Sequence, residues 1–323
     1  MCKFTGIDIS KQTIDCSILK ENGKVVHKKL GNNHKGFEKL LTELSEDSHV
    51  VMEASGPYYL KLSTFLFEKG IKVSVVNPLI IRRFCQMRFL RTKTDKKDAS
   101  MIREYGELEN PALWEPDEPM ILKLKQLSTC IDLLDKSITA STNQLLAFKE
   151  MPGTDEDLIK QMQFIIEMNE KEKEKMEKQM DEISKQYYGK TYECLQSIPG
   201  IGPKTSAMLI AITANFSRFE HYKQLIAYVG LNPRVFESGT SVKGKGHICK
   251  IGTARLRKTI YLCTWSAKRT NPQCAQMYER LQMKCKPKKV INVAIANKLL
   301  RQAFAVGKKL VPFEENLNIL VAN

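Results

Sequence analysis

Two carboxylates three residues apart, Asp95 and Asp98, lie in the stretch Arg91-Thr-Lys-Thr-Asp95-Lys-Lys-Asp98-Ala-Ser, which reads as the start of a helix running to about Glu107. Positions i and i+3 share a helix face, so both acids would address the same volume. The approach to them is basic, through Arg82, Arg83, Arg88, Arg91 and Lys93, with Lys96 and Lys97 between the acids. Two acids on one face raise each other's pKa unless a cation stands between them. Carboxylates that hold Mg²⁺ inside a basic neighbourhood that holds a polyanion are what metal-assisted chemistry on a phosphodiester needs. The same residues also fit a plain helix start, with Asp95 as N-cap and Asp98 in a surface pair with a lysine.

Two more acids come from the region that must position this helix. CKFTGIDIS, TIDCSIL and GKVVHKKL read as three strands, with turns at Ser10-Lys11-Gln12 and Glu21-Asn22-Gly23. In the first, Ile7 and Ile9 face one side while Gly6 and Asp8 face the other. A helix with an apolar stripe of Phe37, Leu40, Leu41 and Leu44 follows, then a strand, HVVMEAS, that carries Glu53 near its end. Gly56-Pro57 is expected to open a helix to about Lys69, and IKVSVV is a further strand. This order predicts an α/β sheet with helices on its faces. Asp8 and Glu53 then sit at the carboxyl ends of strands, the edge where ligands collect in open α/β sheets. Singly, each also reads as an ordinary strand-end acid.

The second chemical stretch runs from Leu231 to Arg257. There Ser238 precedes a glycine in a Gly- and Lys-rich loop that feeds a helix starting near Thr253. A hydroxyl is a poor nucleophile at its ordinary pKa and needs cations, a base or a metal nearby. Lys243, Lys245, Lys250, Arg255 and Arg257 could hold and polarise a phosphate beside it; from composition alone, a basic loop with Ser238 in a turn fits as well. Upstream, LQSIPGIGPKTSAMLIAITA has the form of a helix-hairpin-helix. Gly200 and Gly202 would let backbone N–H groups approach a phosphate, and Lys204 adds charge. A Gly-Pro helix linker without a ligand is the alternative.

Between these regions the composition changes. Leu124, Leu127, Ile131, Leu134, Ile138 and Leu145 recur at steps of three and four. Met151-Pro152-Gly153 breaks that helix, and Thr154 with Asp157 resembles a capping box for a second one. The second helix carries Leu158, Met162, Ile165, Met176, Met180, Ile183 and Tyr187. The pair predicts an antiparallel coiled-coil arm, its dense charge run most simply a solvated face and, on a sharper reading, part of an arm that reaches another protomer. After it, FSRFEHYKQLIAYVG reads as one helix, and the four-step spacing from Leu256 through Phe304 as packed helices. Lys and Arg exceed Asp and Glu by 51 to 36 in 323 residues, a formal charge of +15 that favours nucleic acid as partner. No apolar run approaches the roughly 20 residues that span a bilayer, and MCKFTGIDIS has no apolar signal core, so the expected compartment is the cytoplasm. The nine cysteines have no paired spacing, which predicts reduced, buried thiols.

The order GIDIS…VVMEASGPYY…RTKTDKKDA resembles the RuvC-type, ribonuclease-H-like domain of the DEDD transposases of the insertion-sequence one-ten family and the Piv-type DNA invertases. The later run G-L-N-P-R-x-x-x-S-G…K-x-G-x-x-x-L-R is similar to the C-terminal transposase domain of the same family. The resemblance implies that Asp8, Glu53, Asp95 and Asp98 bind Mg²⁺, with Mn²⁺ as a substitute, and that Ser238 is the nucleophile on DNA, with Ser241 its competitor. It implies an α/β catalytic domain over residues 1–113, a coiled-coil arm over 114–190 and an all-α C-terminal domain with helix-hairpin-helix and serine loop over 191–323. Donor and target DNA, a structured guide RNA and a homo-oligomer, dimer or tetramer, are the implied partners. Glu237 departs from the pattern by placing a negative charge beside the proposed nucleophile.

Overall fold

The computed structural model describes residues 3–20, 22–89, 94–234, 237–238, 242–243 and 247–314. The chain forms two compact units, Met1–Pro116 and Asp117–Asn323.

The first unit is a five-stranded sheet built from β1 (Lys3–Ile9), β2 (Thr13–Leu19), β3 (Val25–Gly31), β4 (Ser48–Glu53) and β5 (Lys72–Val76) in the order β3-β2-β1-β4-β5. The β1–β2–β3 pairings are antiparallel; β4 and β5 add parallel to β1. Strict alternation along these strands assigns each residue to a face. Ile7, Ile9, Ile14, Cys16, Ile18, Val50, Met52 and Val73 pack on one side against Phe37 and Leu40 of α1 (His34–Leu41) and Leu62 and Leu66 of α2 (Leu60–Glu68). On the other side Phe4, Val51 and Val76 meet Ile81 of α3 (Pro78–Met87) and Ile102 of α4 (Asp95–Glu109). Gly56 and Pro57 form a turn ahead of α2 rather than its first residues, because Gly56 takes a left-handed φ of 57° that a helix cannot use.

The placement of α4 depends on two glycines. A Cβ on Gly6 of β1 would stand 2.2 Å from both the Ala99 carbonyl oxygen and the Arg103 nitrogen, so the helix backbone crosses directly over this residue. One end of the same helix is seated by Gly106, where a Cβ would meet Val51 Cγ2 at 2.7 Å and Phe4 at 2.9 Å. A mid-helix glycine costs about 1 kcal/mol against alanine, and the close approach of helix to sheet offsets it.

The second unit begins with α5 (Pro119–Lys149) and α6 (Glu156–Gln196), two long helices joined by a short turn. Asp155 caps α6 by accepting from the Asp157 N–H at 2.9 Å; the Thr154 hydroxyl instead donates back to the carbonyls of Phe148 and Met151. The expected Thr154–Asp157 box is therefore replaced by a cap one residue later. Burial is concentrated at one end of the pair, in Ile121, Leu124 and Ile131 with Met180, Ile183 and Tyr192. Toward the connecting turn Leu146, Met151, Phe164 and Ile165 stay exposed. Tyr187, expected in the apolar seam, is exposed, and Tyr188 is buried in its place. The helix kinks at Tyr188, which shifts the phase of the stripe by one residue.

The buried end shares one core with α7 (Pro203–Thr213), α8 (Tyr222–Val229), α9 (Ala254–Thr270), α10 (Pro272–Met283) and α11 (Lys288–Lys309). The helix expected over 216–229 begins only at Tyr222. Ala214, Asn215 and Phe216 turn left-handed, and His221 with Gln224 forms the capping box. Between α8 and α9 lie two short antiparallel ladders, β6 (Pro233–Arg234) with β9 (His247–Ile248) and β7 (Glu237–Ser238) with β8 (Val242–Lys243). Cys16, Cys194 and Cys274 are buried, whereas Cys130 and Cys285 are exposed, against the expectation of generally buried thiols. Among the described residues no helix is long and apolar enough to cross a membrane.

Gly6→Ala should lower the stability of the first unit by about 1–3 kcal/mol, since backbone rather than a flexible side chain must move. Chemical denaturation of the full chain, followed by a probe in residues 1–116, measures this; an unchanged midpoint would show that α4 does not sit where described.

Candidate active site

Asp8 is the penultimate residue of β1 and Glu53 the last of β4. The parallel register ends at the pair Ile7–Met52, so Asp8 and Glu53 follow together on adjacent strands, on the face that Gly6 turns to α4. The helix reaches them because Thr94 caps it, its hydroxyl accepting from the Lys97 N–H at 3.3 Å. Asp95 and Asp98 both fall in the first turn, and neither is consumed as the cap. Asp98 adjoins Ala99, the residue lying on Gly6, two positions before Asp8. Asp8 feels this convergence: burial first, then the charges of Asp98, Glu53, Asp95 and Asp15, push its carboxyl up to about 6.

A fifth acid and a lysine, both unread in the sequence, join the group. Asp15 stands directly opposite Asp8 in the β1–β2 hairpin, and Lys29 opposite Asp15 in β2–β3, which places the three in a row on one face. Lys29 Nζ lies 3.2 Å from Asp15 Oδ2 and 3.3 Å from Asp95 Oδ2. Its pKa is raised, chiefly by the hydrogen bonds to Asp15 and then Asp95. The signal for Asp15 was the register of the Ser10–Gln12 turn, which sets it beside Asp8 once the strands pair; Lys29 follows from the register of the next hairpin, β2 with β3.

Oxygen donors that repel one another and already hold an ammonium fit a hard divalent cation such as Mg²⁺ or Mn²⁺. Among the described residues no three of these acids stand close enough together to share one ion as placed. The Glu53 carboxylate accepts from the Ser55 hydroxyl at 3.0 Å.

Other expected site residues lie in the second unit. Ser238 is on β7, paired through its backbone with Val242, and Glu237 pairs with Lys243. Gly200, with φ 101°, packs so closely that a Cβ would meet Ala267 Cβ of α9 at 2.6 Å, which accounts for this glycine without any ligand. Gly202 is the N-cap of α7 and faces open space. Lys204 is ion-paired with Glu177 of α6. Arg257 donates to the Val229 carbonyl at 2.7 Å and so closes the C-terminus of α8. Lys250 is exposed on a left-handed residue. The Arg255 guanidinium is partly buried. Its Nη2 has no hydrogen-bond partner among the described residues, and desolvation lowers its pKa against the opposing pull of Asp132 and Asp135. Arg91, Lys93, Ser241 and Lys245 lie outside the described residues.

The raised pKa of Asp8 fixes the sign of a pH effect. The folded chain binds this proton more tightly than the unfolded chain does, so stability is greatest below about pH 4 for this group and is lost as pH rises through about 6. Asp8→Asn removes the repulsion. Its melting temperature in chelator should exceed that of the unaltered protein at pH 8, with the gain vanishing by pH 4. A lower melting temperature at pH 8 would contradict the crowding of charge around Asp8.

Known proteins resemble the chain along most of its length. Residues 5–148 match a DEDD-type family model described as "Transposase", and residues 192–279 match "Transposase IS116/IS110/IS902 family". The chain is 30% identical over 330 residues to the pilin gene-inverting proteins of Moraxella lacunata and Moraxella bovis, covering 98% of each chain. It is 25% identical over 290 residues to the transposase for insertion sequence element IS1111A of Coxiella burnetii, covering 80% of this chain and 76% of that one. With four acids gathered at one sheet edge and near-complete alignment to the inverting proteins, this chain belongs to the IS116/IS110/IS902 family of DEDD transposases.

Proposed function

We propose that this protein is a DNA transposase or site-specific recombinase that cuts and rejoins strands through Ser238, with the acidic group of the first unit acting on the same phosphate. The observation that carries the reading is the convergence of Asp8, Glu53, Asp95 and Asp98 from two strands and one helix. Asp8, Glu53, Asp95 and Asp98 would hold Mg²⁺, or Mn²⁺ in its place, which when bound supplies charge neutralisation at the phosphodiester. Ser238 Oγ forms a bond to phosphorus as the P–O3′ bond breaks. The serine proton passes to solvent, and the departing oxygen takes one up to become a 3′ hydroxyl. A hydroxyl from the other duplex then attacks the phosphoserine link and regenerates the serine. Lys243, Lys245, Lys250 and Arg255, with Arg91 and Lys93 from the first unit, contribute positive charge along the DNA backbone. Arg257 acts one step removed, by fixing the end of α8.

The working division is a RuvC-like catalytic domain over 1–113, an antiparallel coiled-coil arm over 114–190 and a transposase domain over 191–323. The apolar side chains exposed toward the far end of the arm support pairing with another copy in a dimer or tetramer. The turn from α6 into α7 serves as a helix-hairpin-helix, with Gly202 open at the helix start and Lys204 released from Glu177 when a phosphate arrives. Guidance by a structured RNA follows from the family resemblance and suits the +15 charge. Copurified RNA that survives DNase treatment would support it.

A nicked suicide substrate should trap a covalent protein–DNA adduct that mass spectrometry maps to Ser238. Ser238→Ala should abolish the adduct and lower strand exchange by about 10³-fold or more. Cleavage retained by Ser238→Ala without an adduct would instead make the protein a metal nuclease. Mixing Ser238→Ala with Asp8→Ala subunits should restore activity if one site draws on two protomers.

A further inference from the structure

The row Asp8–Asp15–Lys29 across β1, β2 and β3 places an ammonium at the edge of the acidic group. Lys29 Nζ spans two carboxylates of different origin, Asp15 of the sheet at 3.2 Å and Asp95 of α4 at 3.3 Å. These two acids differ in setting. The Asp15 side chain is 17% exposed and the Asp95 side chain 65%. Lys29 itself is 55% exposed, on a four-carbon stem. An ion pair this open is weak and exchanges readily with competing charges. Asp15 therefore keeps the lysine nearby while Asp95 shares it.

We propose that Lys29 is the resident countercharge of the acidic site: its ammonium holds Asp95 in the absence of a divalent cation and competes with that cation for the carboxylate. The inference rests on the four-acid site proposed above. It adds two residues to that site's working parts, Lys29 as a positioning residue for Asp95 and Asp15 as the anchor that keeps Lys29 in place. The competition has two sources. The ammonium repels an incoming dication, and its hydrogen bond occupies one oxygen of a prospective ligand. The repulsion disappears when the charge is removed, and Lys29→Met removes the hydrogen bond as well.

Mn²⁺ binding to the full-length protein, followed by the electron paramagnetic resonance of the free ion, reads this without reference to activity. Lys29→Met should bind Mn²⁺ about three- to tenfold more tightly than the unaltered protein at low ionic strength, with the difference shrinking as salt is added. Lys29→Arg should remain near the unaltered value. The rise in melting temperature on saturation with Mn²⁺ should be larger for Lys29→Met, because its free form has lost a counterion. Lys29→Gln repeats the comparison with a different neutral side chain if the methionine variant is poorly folded. Equal or weaker Mn²⁺ binding in both neutral variants, with binding still abolished by Asp8→Asn, would overturn the role of Lys29 alone. Mn²⁺ binding indifferent to Asp8→Asn would overturn the four-acid site and this inference with it.

Discussion

The contact on which the first unit turns is the crossing of α4 over Gly6. The helix backbone lies so close to β1 that no side chain fits between them. That distance, more than any charge pairing, carries Asp98 to Asp8, since Ala99 rests on Gly6 and Asp98 precedes it in the same turn. Gly106 repeats the arrangement further along α4, against Phe4 and Val51. A helix held at two such points has little freedom to slide. The acids at its start are thus positioned by packing of the middle and end of the helix.

Packing of this kind forces together groups that repel. Asp8 takes the consequence, its carboxyl raised to about 6 by burial and by four neighbouring carboxylates. In water such groups would separate; here the apolar contacts on both faces of the sheet, from Ile7 and Met52 on one side and Phe4, Val51 and Ile102 on the other, oppose the repulsion. Crowded carboxylates attract positive charge, and the Lys29 ammonium stands between two of them, Asp15 and Asp95.

The second unit solves a different problem. Its helices α5 and α6 extend beyond the core they share with the C-terminal helices, which cover only one end. The turn between α6 and α7 belongs to that covered end, with Gly200 pressed on Ala267 of α9. Features that resemble ligand-binding elements thus have internal duties. Gly200 is needed for packing, Arg257 caps α8, and Lys204 answers Glu177. Arg255 differs, with a buried nitrogen left without a partner among the described residues.

Sequence alone determined the five strands of the first sheet, the helix that begins at Asp95 and the order of the four acids along them, because alternation and helical spacing are local properties of neighbouring residues. It also carried the family likeness, since motif order survives in the chain itself. Boundaries set by single turns were less legible. Left-handed residues at Gly56 and at Ala214 to Phe216 shorten helices whose apolar periodicity continues through them. Only the tertiary structure decided that Asp15 and Lys29 belong with the acids, that Tyr188 rather than Tyr187 is buried, and that Gly200 is occupied by packing. Each of these depends on strand register, a kink, or the approach of a distant helix. Such contacts join residues far apart in sequence, and no local pattern encodes the distance between them.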